Sequence, residues 1–239
     1  MATSTIFEPL ALINKGLNLN YVFEINQLPI SILAVLEKEN QDLHRFNQLI
    51  LVAHGGKTLW NSIPQNISLT PKEQSSNPID NFTTDSINTW FKQNQPQIKK
   101  KIVYPSPQNI PLQALGQLAH LHFPSPFLVG INNLYGSWFA YRAVILSNSN
   151  FTNSIKEKTH SPCIKCQSKL CISKCPAKAC TENAFDMKAC LSYRLTEHSL
   201  CEQTCQARIS CPVSTEHRYS TEQINYHYQC SLEMIRSVK

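Results

Sequence analysis

The sequence predicts an α+β protein in two parts: an α/β sheet domain over residues 1–150 and a small cysteine-rich domain over residues 160–239. Three observations carry that expectation. All ten cysteines lie at or after Cys163, so the earlier part must hold together by apolar burial alone. In that part, apolar runs of strand character alternate with segments of helical period. Between the two lies Ser147 to Ser161 (SNSNFTNSIKEKTHS), polar enough for a linker, with Phe151 and Ile155 as its large apolar residues.

Taken in order, Ile32 to Glu39 has helical spacing. Phe46 to His54 (FNQLILVAH) is a buried-strand signal closed by the turn residues Gly55-Gly56. His54-Gly55-Gly56-Lys57 lacks the spacing of a phosphate-binding loop and reads as a tight turn after that strand. Asn81 to Phe91 reads as a helix with Thr83, Thr84 and Asp85 at its cap. Lys99, Lys100 and Lys101 form the only dense basic group, expected in a solvated loop or at a helix end. Leu112 to His122 reads as a helix after Pro111, and the alternating His120 and His122 as surface histidines, not ligands. Tyr135 to Leu146 mixes aromatic and β-branched residues after Asn132-Asn133, which predicts a second strand. Trp138, Phe139 and Tyr141 in it are read as core and not as cofactor-stacking rings.

Composition narrows the function classes. A hydrophobic fraction of 42% supports a packed core, and there is no uninterrupted apolar run of about 18 residues to span a membrane. Met1 to Leu12 carries Glu8 and no basic residue, unlike a secretory leader, so a cytoplasmic location is expected. Thiols stay reduced there, which disfavours disulfides. The net charge of +6 counts every cysteine as neutral, and the basic residues are scattered, so no nucleic-acid partner is expected.

The cysteine spacing points to a metal cofactor. The first run is Cys163-x2-Cys166-x4-Cys171-x3-Cys175-Pro176; then come Cys190 and Cys201-x3-Cys205-x5-Cys211-Pro212. A segment this small and this poor in large apolar residues needs an internal staple. Zinc prefers separated C-x2-C pairs, whereas here Cys-Pro twice closes a denser run. The pattern resembles the bacterial ferredoxin run C-x2-C-x2-C-x3-C-P, in which the last cysteine of each run serves the other of two cubes. That resemblance implies two [4Fe-4S] clusters. Cys163, Cys166, Cys171 and Cys211 would hold one; Cys175, Cys190, Cys201 and Cys205 would hold the other. With about −2 on each ligated cube, the formal charge would fall to roughly +2. Cys180 and Cys230 fall outside the pattern and are read as ordinary thiols.

The block CIKCQSKLCISKCPAKAC…CLSYRLTEHSLCEQTCQARISCP resembles the iron–sulfur half of the epoxyqueuosine reductases, and also small ferredoxin-like proteins of proteobacteria. Cys190-Leu-Ser-Tyr-Arg-Leu-Thr196 is similar to the reductases' "CISYLT" segment. Tyr135-Gly-Ser-Trp-Phe-Ala-Tyr-Arg-Ala-Val-Ile-Leu146 resembles their "GSWF" strand and the "GGWFAIRG" strand of cobalamin-processing proteins. The resemblance implies a nitroreductase-like N-terminal α/β sheet domain followed by a two-cluster ferredoxin-like domain, with a corrinoid as a candidate ligand. It does not extend to epoxyqueuosine reduction. The segment matching the reductases' proton-donating aspartate is Ser106-Pro-Gln-Asn-Ile-Pro111, without a carboxylate.

The function expected is electron transfer through two clusters to a redox partner protein or a redox site in the N-terminal domain. The alternatives are a cobalamin-binding reductase or chaperone, and a structural zinc-binding module.

Overall fold

The computed structural model describes residues 5–64, 77–154 and 158–237. They separate into two compact units. The first takes the described residues up to 121 and those from 139 to 158; the second takes 122–138 and those from 159 onward.

The first unit runs α1 (Leu10–Asn14), β1 (Leu19–Glu24), α2 (Ile30–Glu39), β2 (Gln48–Gly55), α3 (Thr58–Ser62), α4 (Pro78–Asn94), β3 (Lys100–Tyr104), α5 (Leu112–Leu118) and β4 (Phe139–Ser147). Its four strands form one sheet in the order β1-β2-β4-β3, with every neighbour antiparallel. The apolar run expected as a strand is β2, and all eight of its residues are buried. Leu49, Ile50 and Leu51 stand opposite Leu146, Ile145 and Val144 of β4. Burial of every residue from Leu49 to Ala53 and from Ala143 to Leu146 means that both sheet faces are covered there, so these stretches are unbroken apolar runs in place of alternation. Each such side chain contributes roughly 1.5–3 kcal/mol of burial. α4 packs against α1 and β4, and α3 against β2.

Four expectations change in detail. The cap of α4 is Asn77, whose Oδ1 accepts from the N–H of Ile79 at 3.1 Å and of Asp80 at 3.4 Å; Thr83 lies in the helix interior, fully buried. Pro78 fits the first turn because it has no N–H to leave unpaired. Asn77→Ala is expected to cost about 1 kcal/mol, read as a lower denaturation midpoint of the first unit. The helix after Pro111 ends at Leu118: His120 turns left-handed at φ 53, and the N–H of Leu121 closes back on the Gly116 carbonyl at 2.9 Å. Lys100 and Lys101 belong to neither loop nor helix end but open β3, the terminal strand, where lysines discourage further pairing. Lys101 Nζ meets Asp42 at 2.7 Å.

The fourth change concerns Tyr135 to Leu146. Only Phe139 onward is strand, and Tyr135 to Trp138 form a turn closed by a 2.9 Å bond from the Trp138 N–H to the Tyr135 carbonyl. His54 is buried, with Arg142 Nη2 at 3.1 Å from its Nε2, while Gly56 makes the expected turn at φ 74. In the polar stretch after β4, Phe151 is buried against Phe7, ring centroids 4.9 Å apart; Ile155 lies outside the described residues.

The second unit holds α6 (Leu170–Ser173), α7 (Met187–Arg194), α8 (Gln206–Ile209) and α9 (Thr221–Ser237). It has two small apolar centres. One is Phe127 and Ile131 with Cys171, Cys180, Ala207 and Cys211; the other is Trp138 with Tyr219 and Ile224. Residues 122–138 thus supply much of the apolar material that the cysteine-bearing segment lacks. No described helix is long and apolar enough to cross a membrane.

Candidate functional site

The cysteines of the second unit sit on short, repeated pieces of structure. Cys163 lies in the 3-10 turn Pro162–Ile164, capped by the Ser161 hydroxyl, and its carbonyl accepts from the Cys166 N–H at 3.3 Å. α6 carries Cys171 and is followed by Cys175-Pro176; Cys205 caps α8, which is followed by Cys211-Pro212. α6 and α8 pack together. In both, the cysteine before proline donates its N–H to the turn that precedes it: Cys175 to Ile172 O and Cys211 to Arg208 O, each 3.2 Å. Cys190 is on α7, where the Asp186 carboxylate caps by accepting from the Ala189 N–H at 2.9 Å.

Burial and neighbouring thiols act together on several of these cysteines. Cys171 is pushed up to about 11 by burial and then by Cys211, Cys163 and Cys166. Cys211 is raised by burial and by Cys163 and Cys166. Cys190, pushed up to about 11, responds to burial and then to Cys205, Cys175 and Cys201. Cys201, raised by burial, responds to Cys205 and Cys175. Cys171, Cys211, Cys163, Cys175 and Cys205 all pack about one apolar centre with Phe127 and Ile131. Among the described residues no three His, Cys, Asp or Glu side chains converge closely enough to hold a single metal ion. No disulfide joins any of the ten cysteines.

Several groups favour negative charge on these sulfurs. Backbone N–H groups bond to sulfur at Cys166 (from Lys169 and Ser168), Cys171 (Ile172), Cys201 (Gln206) and Cys211 (Val213), each opposing the upward push of burial on that thiol. At Cys166, burial pulls upward, but these bonds and the Ser168 hydroxyl outweigh it. Lys169 takes φ 43 in the four-residue spacing before Cys171. Arg194 lies near Cys190 and Cys201 and offsets part of the rise of both; its guanidinium donates to the Cys201 carbonyl, to Ser231 Oγ and to the Tyr228 carbonyl. Arg218 does the same for Cys211. Arg208, buried, donates to Ser137 O at 2.6 Å and lies 4.4 Å from the Trp138 ring centroid.

Sequence reasoning missed three things here. Arg194, Arg208 and Arg218 carry no spacing signal, because what matters is their packing against α9 and Trp138. Gly136 was read only as part of a strand; at φ 56 its Cα comes so close to Val213 that a Cβ would stand 2.4 Å from the Val213 carbonyl oxygen. Cys180, read as an ordinary thiol, is 4% exposed and shares an apolar centre with Cys171 and Cys211, against which Cys175 also packs. The signal for Cys180 was available: a turn after Cys-Pro, here closed by Lys178 N–H to Cys175 O at 3.0 Å, brings the next residues back beside it.

No family model matches the chain, and no curated protein matches it. Solved structures do. An epoxyqueuosine reductase in complex with a tRNA-Tyr epoxyqueuosine-modified stem loop superposes at TM-score 0.53 with 13% identity, covering 91% of this chain and 66% of that one. The epoxyqueuosine reductase of Bacillus subtilis gives 0.50 with 12% identity, covering 86% and 64%. The B12-trafficking protein CblC of C. elegans gives 0.47 with 13% identity, covering 91% and 88%. The chain shares the fold of the reductases, a mixed α/β arrangement, and spans 64% to 66% of their length. Since one of these relatives in fold holds a tRNA stem loop, the expectation of no nucleic-acid partner gains no support from the fold.

Proposed function

We infer that this protein transfers electrons through two four-iron clusters, one held by Cys163, Cys166, Cys171 and Cys211 and one by Cys175, Cys190, Cys201 and Cys205. The observation that supports the reading is the patterned cysteine spacing together with the influence of Cys163, Cys166 and Cys211 on Cys171 and of Cys175, Cys201 and Cys205 on Cys190. Thiolates round a cube bind iron at separate corners and need not converge on one point, as they must for a tetrahedral zinc with Zn–S of about 2.3 Å. The amide N–H groups and arginines at the thiols suit a ligand set that carries net negative charge. Bound clusters would supply one-electron transfer to a redox partner protein or to an acceptor on the same chain.

Protein purified anaerobically is expected to be brown, with about eight irons and about eight acid-labile sulfides per chain. Stoichiometric zinc without labile sulfide would refute the reading and favour a structural zinc module. A corrinoid acceptor is the second reading, and it rests on the aromatic strand of the first unit. Phe139 of that strand is buried, as is Trp138 just before it in the second unit, which leaves neither ring exposed to stack on a ligand. Retention of added cobalamin through gel filtration, seen in the visible spectrum, would favour it nonetheless.

The charge near the second set of thiols gives a separate test. Arg194→Gln removes a cation beside Cys190 and Cys201 while leaving a hydrogen-bonding amide. It is expected to lower the reduction potential of one cluster only, read by an EPR-monitored redox titration.

A further inference from the structure

A cleft of about 470 Å³ in the first unit is lined by the end of β1, by α2 and by the segment that leads into β2. That volume suits a small organic ligand. In its lining Ile25, Asn40 and Leu43 are buried, Leu33 and Phe46 are half-buried, and Glu37 is exposed. Among the described residues that line it are two carboxylates, Glu24 and Glu37, and no lysine or arginine. The whole chain has 22 lysines and arginines against 16 aspartates and glutamates, so the cleft is a negative spot on a positive protein.

The lining also holds an unused acceptor. Asn40, 1% exposed, directly follows the last residue of α2. Its side-chain amide donates to the Leu36 carbonyl at 3.2 Å, while its Oδ1 has no hydrogen-bond partner among the described residues. Buried polar atoms are nearly always paired, so an unpaired acceptor on a residue that lines a cleft calls for a donor from outside the chain. The C-terminal end of α2 adds partial negative charge, which favours a cation there. Glu24 is held in place by Gln48, whose Nε2 donates to its Oε1 at 2.6 Å. Asn47 spends a side-chain N–H on the Ser149 carbonyl at 2.6 Å. What remains for a ligand is a set of acceptors beside an apolar wall.

We propose that this cleft binds a small organic ammonium with an apolar body. Asn40 Oδ1 supplies the hydrogen-bond acceptor, Glu24 and Glu37 the negative charge, and Leu33 and Phe46 the apolar surface. An inorganic cation would leave that surface unused, and among the described residues no three His, Cys, Asp or Glu side chains converge to hold one. An anion would meet two carboxylates with no cation to offset them. A neutral alcohol could reach Asn40 but would gain nothing from the carboxylates or from the end of α2. The site lies in the first unit and contains none of the cysteines, so it stands independently of the two-cluster reading.

The test titrates the full-length protein, purified anaerobically, with phenethylamine and hexylamine, both ammonium ions at neutral pH, by calorimetry. Phenethyl alcohol, hexanol and phenylacetate serve as neutral and anionic counterparts. Saturable binding of at least one amine is expected, about tenfold tighter than its alcohol, with no binding of phenylacetate. Asn40→Leu removes the acceptor and should weaken amine binding about tenfold. Glu37→Gln, at an exposed position that should not disturb folding, should weaken it about threefold. Leu33→Trp fills the cleft and should abolish it. The proposal is overturned if the parent binds neither amine, if the alcohols bind as tightly as the amines, or if Glu37→Gln and Leu33→Trp both bind as the parent does.

Discussion

Cys211→Ser is expected to halve the iron of the anaerobically purified protein, from about eight to about four per chain, with labile sulfide falling in step. The residue is far in sequence from Cys163, Cys166 and Cys171, yet burial and those thiols act on it together. Serine keeps the volume but is a poor ligand for iron, so the effect reads ligation and not packing. The surviving EPR signal should be that of the cluster assigned to Cys175, Cys190, Cys201 and Cys205. Metal binding counts as folding free energy where the unfolded chain has no site. Losing one cube should therefore also lower the denaturation midpoint of the second unit. Retention of full iron by this variant would show that Cys211 is not a ligand.

Gly136→Ala is the second change with a large expected effect. Its φ of 56 is left-handed, which costs an alanine roughly 1–2 kcal/mol. The added Cβ would also stand 2.4 Å from the Val213 carbonyl oxygen, with Ser214 next to it. A backbone atom cannot swing aside as a side chain can, so the chain after Cys211-Pro212 must shift, for about 1–3 kcal/mol more. Val213 is the residue whose N–H bonds to the Cys211 sulfur, so the shift reaches the thiol directly. We expect a denaturation midpoint well below the parent's, and iron lost preferentially from the cluster assigned to Cys211. A parent-like midpoint and iron content would show that the close approach is relaxed in solution.

The Cys-Pro corners show how far spacing alone reaches. Two runs that each end in Cys-Pro carry their own geometry, because a short helix and a turn fix where successive thiols stand. The division into two sets of four is instead what the resemblance to two-cluster ferredoxins implies. The strand β2 was legible: the apolar run Leu49 to Ala53, followed by His54 and two glycines, has few other outcomes. The start of α4 was less so, since Asn77 and the threonines after it are all capping types, and only the tertiary packing of Thr83 decides which one lies outside the helix.

Sequence by itself determined the part of the chain that carries the cysteines, their spacing and the apolar runs of the sheet. Those features depend on local spacing and on composition. Tertiary structure alone decided that residues 122–138 join the cysteine-bearing unit, that Gly136 meets Val213, that Arg194, Arg208 and Arg218 stand near the thiols and Trp138, and that Cys180 shares an apolar centre with Cys171 and Cys211. These are contacts between residues distant in the chain or turned back on it. They are set by which small apolar surfaces remain to be buried once the short helices have formed, and periodicity holds no record of that choice.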